Sequence, residues 1–155
     1  MVGAGGSGTA GCSPARQKLE FSTHGSRVDV HGWGECIWST AYGEGHKDPS
    51  ETTNENKWYT DSFGGTSGAG PFVAAAAANL QGIAMKEFGG PRDPLVIRKL
   101  LTDTGLPQLG DDNDKHIGPL VNLRAAIDTL LAMGEVRLDL VILFQFAFID
   151  LDLFI

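Results

Sequence analysis

Cysteine is scarce in this chain: Cys12 and Cys36 are the two present in 155 residues. Two thiols cannot build a disulfide scaffold, and they lack the spacing of a metal site. They either remain separate or form one bridge in an oxidising compartment, and composition leaves both open. Basic residues are also in short supply, with 12 Lys and Arg against 19 Asp and Glu and a formal net charge of −7. Arg16 lies near Lys18 and Arg98 adjoins Lys99, yet neither pair extends. Phosphate binding needs clustered cations, so no nucleic-acid partner is expected. Long apolar runs are missing too. Residues 138–155 (LDLVILFQFAFIDLDLFI) are broken by Asp139, Asp150 and Asp152. The remaining stretch, 140–149, holds about ten residues where a spanning helix needs roughly 20, so no membrane span is expected. Met1-Val2 runs straight into glycines, without the basic stretch and apolar core of a signal peptide. The compartment stays open.

What is present is one domain's worth of ordinary globular composition, 42% hydrophobic and 20% charged. Its 21 glycines follow no Gly-X-Y period, which points to tight turns and close backbone approaches. Residues 1–18, rich in Gly, Ser and Ala, read as a strand end followed by a loop. Residues 19–22 suggest a short strand, His24-Gly25-Ser26 a turn, and Val28-Asp29-Val30 a second strand by its alternation. Residues 35–42, with Ile37 and Trp38, suggest a third. Residues 43–57 are polar and read as a surface loop, and 58–63 as extended. Helical signals follow. Residues 71–88 (PFVAAAAANLQGIAMKEF) start with Pro and stop at Gly89-Gly90. Ala74 to Ala78 leave no polar face, so that turn is expected to be buried all round. Residues 94–102 predict a helix with Leu95, Ile97, Leu100 and Leu101 inward. Residues 122–133 predict another with Leu123, Ala126, Ile127 and Leu130 inward.

Chemistry concentrates at Gly65-Thr66-Ser67-Gly68-Ala69-Gly70-Pro71-Phe72-Val73-Ala74. Small residues surround a serine at the mouth of a helix, with Pro71 expected as the helix start and Gly65, Gly68 and Gly70 allowing close packing. Unpaired N–H groups and the positive end of the helix dipole suit a nucleophile whose product is an oxyanion. An ordinary N-capping serine would look the same on spacing alone.

The stretch Gly65-Thr66-Ser67-x-Ala69-x-Pro71-x-Val73-Ala74 resembles the catalytic-serine motif of the subtilisin-like serine peptidases (subtilases, the S8 family). Upstream, Phe21-Ser22-Thr23-His24-Gly25 followed by Val28-Asp29-Val30 is similar to that family's FSxxG and VDV strand. The Pro94 helix and residues 118–127 resemble its closing helices, so residues 1–131 are read as the C-terminal part of a peptidase domain. Residues 132–155 form an apolar tail without family resemblance. One departure is Ala75, where the family usually has Gly. The resemblance implies an α/β fold, an incomplete subtilisin-like three-layer arrangement holding the C-terminal part of a mostly parallel sheet with packed helices. It implies Ser67 as nucleophile, with its own backbone N–H as one oxyanion donor, in a hydrolase acting on peptide or protein substrates. Gly65, Thr66, Ala69 and Pro71 support the motif. The family is commonly secreted.

Serine needs a base, and the base an orienting carboxylate. In this family Asp, His and an oxyanion Asn precede the serine, ahead of the segment in hand, so the chain alone is expected to be inactive. His24-Gly25-Ser26 imitates the His motif but leads into an extended segment. Asp103-Thr104-Gly105 imitates an Asp motif but follows the serine at a helix exit. Gly3-x-Gly5-x-x-Gly8 fits a dinucleotide pattern without the helix that pattern needs, so no cofactor is expected. His31, His46 and His116 lack ligand spacing. Asp111-Asp112-Asn113-Asp114 lacks the glycine and terminal Glu of a calcium loop and reads as solvated, so no metal is expected. The alternative function is a non-catalytic half-domain that pairs with a complementary N-terminal half through exposed strand edges. The tail's alternating stretch 144–148 predicts poor solubility of the isolated chain.

Overall fold

The computed structural model describes residues 1–42, 54–110 and 115–134. Strand β1 (Val2–Gly5) pairs in parallel with β2 (Val30–Trp33), in register from Val2 opposite Val30 to Gly5 opposite Trp33. Strand β1 (Val-Gly-Ala-Gly) is built of small residues, and its neighbours, like those of Gly32 in β2, approach closely. A Cβ at Gly3 would lie 2.8 Å from Ile117, and one at Gly32 would lie 2.7 Å from the Ala69 carbonyl oxygen. Single bridges extend the pair on each side, Lys18 beside Gly5 and Leu120 beside His31. Strands β3 (Ile37–Thr40) and β4 (Tyr59–Phe63) form a separate antiparallel pair that leads into the long helix. A short 3-10 turn, Glu55–Lys57, precedes β4.

Helix α1 (Thr66–Phe88) packs across β1 and β2 and stops at Gly89, which takes the left-handed conformation at φ 71°. Helix α2 (Pro94–Asp103) is capped by Asp93, whose carboxylate accepts from the Leu95 N–H at 2.7 Å. Helix α3 (residues 123–134) is capped by Asn122. The core gathers where these meet: Val73, Leu80 and Ala84 from α1, Ile97, Leu100 and Leu101 from α2, and Ala126 and Leu130 from α3, closed by Val30 and Val121. Cys12 and Cys36, left open by composition, are joined in a disulfide across 24 residues.

Several expectations are corrected. Residues 19–22 make no strand; the Leu19 N–H binds the Ala4 carbonyl, and the chain then turns back with Ser22 N–H on the Leu19 carbonyl. The second strand begins at Val30 rather than Val28, because Val28 closes a turn on Gly25. Leu95 is 68% exposed, since it sits in the first turn of α2 on the side away from α1 and α3. Ala76 is buried, but Ala74, Ala75 and Ala78 are exposed. An alanine run permits burial on every side; here the sheet covers one side of α1, and none of the other described elements covers the opposite one.

Candidate active site

The turn between β4 and α1 is shaped by two glycines. Gly65 has φ 82°, a left-handed value that side chains rarely tolerate, and its N–H donates to the Gly34 carbonyl at 2.7 Å. A Cβ at Gly64 would lie 2.6 Å from that same carbonyl oxygen. Gly34 in turn donates its N–H to the Gly5 carbonyl at 3.0 Å. The first turn of α1 is thereby seated on the carboxyl ends of the two parallel strands, the end at which α/β sheets place their ligands.

Ser67 is the second residue of α1, and it is exposed. The Gly65 carbonyl takes the N–H groups of Gly68 at 3.0 Å and Ala69 at 3.3 Å. The Thr66 and Ser67 N–H groups come before the first intrahelical acceptor. No side chain caps them, no acidic residue lies in the first turn, and no hydrogen bond engages the Ser67 hydroxyl among the described residues. The neighbours face inward: Ala69 is fully buried, and a Cβ at Gly68 would meet Ile37 Cδ1 at 2.5 Å. Ser67 therefore presents a hydroxyl and an unspent N–H together, at the positive end of the helix dipole.

Pro71 does not start this helix, contrary to expectation: α1 begins five residues earlier and Pro71 lies within it. A proline there has no N–H for the Ser67 carbonyl, so it loosens the turn that carries the serine without preventing the helix. Thr66 and Pro71 are exposed, whereas Gly65 is half-buried. Gly70, expected to aid packing, faces open space: a Cβ placed on it would have no atom within 4 Å. Beyond it, Phe72 packs against Trp33 with ring centroids 5.4 Å apart, both rings partly exposed.

No histidine hydrogen-bonds Ser67 among the described residues. His24 is exposed in its turn, where the next residue, Gly25, donates to the His116 carbonyl at 2.7 Å. His31 is fully buried, its Nδ1 2.7 Å from the Gly118 carbonyl oxygen, and works as a core tether. His46 and residues 111–114 lie outside the described residues. Asp103 ends α2 paired with Lys99 at 2.7 Å, and Thr104 caps the helix, as a helix exit should. Residues after Gly5 form a loop, so the glycine pattern there lacks its helix. No group of three or more His, Cys, Asp or Glu gathers as metal ligands, and no helix is long and apolar enough to cross a membrane, among the described residues.

The Asp29 carboxylate is shifted by its surroundings. Burial pulls its pKa up, but hydrogen bonds and charge from the N-terminal ammonium and the Arg98 guanidinium outweigh that and hold it below the ordinary carboxylate range. It precedes the amino end of β2, opposite the end that seats Ser67, so it is a structural ion-pair centre. Sequence reasoning missed the Gly5–Gly34–Gly65 relay and the two hydrogen bonds that Ser13 donates to the Glu35 carboxylate, partners 22 residues apart with no spacing signal.

Residues 6–119 match the family model described as the subtilase family, Peptidase S8. This chain belongs to the subtilases. The family consists of serine peptidases, hydrolases that act on peptides. Two solved structures share the subtilase fold with it. The patellamide maturation protease PatA is 25% identical with a TM-score of 0.59, over 84% of this chain and 42% of that one. The prenylagaramide maturation protease PagA is 22% identical with a TM-score of 0.58, over 83% of this chain and 41% of that one. The chain thus spans less than half the length of either protease. No curated protein matches it.

Proposed function

We propose that this chain carries the nucleophile and one oxyanion donor of a subtilisin-like serine endopeptidase, with Ser67 attacking the scissile carbonyl and its own N–H receiving the developing oxyanion. One observation carries the reading: Ser67 combines an exposed, unengaged hydroxyl with an unspent backbone N–H at a helix N-terminus. Attack on an amide also requires a base to take the hydroxyl proton and return it to the leaving amine. Family order puts that His, its Asp and the oxyanion Asn upstream of this segment, so Ser67 alone is inert. In subtilisin, the reference system for this scale, loss of the serine or the histidine costs on the order of 10⁶ in turnover.

The test is complementation. Mixed with an N-terminal subtilase segment bearing Asp, His and Asn, the chain should gain peptidase activity that Ser67→Ala abolishes. The chain alone should leave Ser67 unlabelled by an active-site phosphonate. Labelling without a partner would mean that a base within the chain activates Ser67.

A second reading is a half-domain that binds such a segment without catalysis. It is favoured by the exposed apolar side of α1, where Phe72, Ala74, Ala75, Ala78 and Met85 are uncovered among the described residues. Of the strand edges such pairing would use, that of β1 is occupied at Ala4, which donates to the Ser22 hydroxyl and accepts from Leu19. Stable co-elution of the two segments with no hydrolysis would select this reading.

A further inference from the structure

The disulfide lies close to the serine turn in space, though far from it in sequence. Four consecutive residues, 34–37, touch that turn at three points. The Gly34 carbonyl accepts the Gly65 N–H, Gly64 packs on Gly34 and on Glu35 Cα, and Ile37 Cδ1 lies over Gly68. The same four residues are held from their other side by residues 12–13. Cys36 is bonded to Cys12, and both oxygens of the Glu35 carboxylate accept from Ser13, its N–H at 2.7 Å and its hydroxyl at 3.0 Å. Residues 12–13 are themselves fixed within a loop closed on β1: Gly6 N–H donates to the Gln17 carbonyl, Gly8 N–H to the Ser13 carbonyl, and Arg16 N–H to the Gly6 carbonyl.

Cys36 also has φ 54°, a left-handed conformation outside glycine. Such residues persist where their surroundings over-determine them, and they gather at functional sites. Here the surroundings are the two clasps, with Ile37 beyond them entering β3.

We propose that the Cys12–Cys36 disulfide and the Glu35–Ser13 clasp act together as a positioning device for Ser67, making the geometry of the nucleophile turn dependent on the redox state of its compartment. Cys12 and Cys36 are both half-exposed, within reach of a dithiol reductant. Its first thiolate attacks one Sγ, the S–S bond breaks, and the displaced cysteine thiolate takes a proton. Its second thiol then resolves the mixed disulfide, leaving two protonated protein thiols and one disulfide on the reductant. Residues 34–37 keep the Glu35 clasp but lose the covalent one, and the seat of Gly65 loosens. The significance for catalysis rests on Ser67 as nucleophile, but the test does not.

Hydrogen–deuterium exchange of the full chain, without substrate, compares the peptide covering residues 62–70 with one covering 95–103, before and after dithiol reduction. Exchange in 62–70 should rise about tenfold while 95–103 stays within about twofold. Glu35→Gln, which keeps the disulfide and weakens the clasp, should raise exchange in 62–70 by about threefold, again without change in α2. Equal acceleration of both peptides would make the disulfide a general stabiliser and overturn the proposal. So would a 62–70 peptide left unchanged by reduction, whatever the variant does.

Discussion

The glycines around Ser67 differ in what they permit, and the difference is measurable. Gly64 has a carbonyl oxygen 2.6 Å from where a Cβ would stand, a backbone atom that cannot rotate away. Gly64→Ala should cost about 1–3 kcal/mol in urea unfolding, as forced overpacking does, and should lower any complemented activity by shifting Gly65. Gly70 meets nothing within 4 Å and lies inside α1. Gly70→Ala should therefore be neutral or stabilising by up to about 1 kcal/mol, because alanine loses less backbone entropy in a helix. Asp29 gives a second residue-scale expectation. Its pKa is lowered in the folded state, so its ion pairs contribute stability above the unfolded carboxyl value of about 3.9, lost as pH falls below that toward the folded value. Arg98 is well exposed, so the Arg98 share is that of a screened pair, about 0.2–1 kcal/mol. In thermal melts, Arg98→Ala should lower Tm slightly at pH 6 and less at pH 3.

Among the elements, the sequence was most legible where local chemistry decides the outcome. Gly89-Gly90 ends α1, Asp93-Pro94 opens α2, and Asn122 opens α3 within a residue of expectation, because caps and breakers act within a few residues. Ile37 and Trp38 do lie in a strand. Legibility failed where a distant partner decides. Residues 19–22 have strand-like composition, yet Ser22 turns inward to accept the Ala4 N–H, 18 residues away. The start of α1 at Thr66 depends on Gly34 seating Gly65, a contact no period or propensity encodes. For the same reason the serine motif could be located by its residues, while the support beneath it could not. Cys12 and Cys36 illustrate the limit well, since two thiols 24 residues apart carry no pairing rule until the loop folds.

As a whole molecule, this subtilase chain, which spans less than half the length of PatA or PagA, leaves apolar surface uncovered among the described residues. Helix α1 meets the sheet on one side and exposes alanines on the other. A cavity of about 400 Å³ opens between α1, α2 and the amino ends of β1 and β2, lined by Val2, Val30, Val73, Ala77, Ile97 and Leu101. Exposed apolar surface of this kind favours association. On size-exclusion chromatography the isolated chain is expected to elute as oligomers or aggregates, and a complementary N-terminal segment should shift it to a defined heterodimer. A monodisperse monomer would count against this expectation.

His31 sits at the centre of β2, with its ring against a carbonyl 87 residues further on and Leu120 bridged beside it. That closure cannot form until almost all of the described chain exists. The cost of looping out so much polypeptide must be met before the contact returns anything, which places it late in folding and makes folding slow. A nascent chain still tethered at residue 110 would have both strands and α1 available, but nothing to lay over the outer edge of β2.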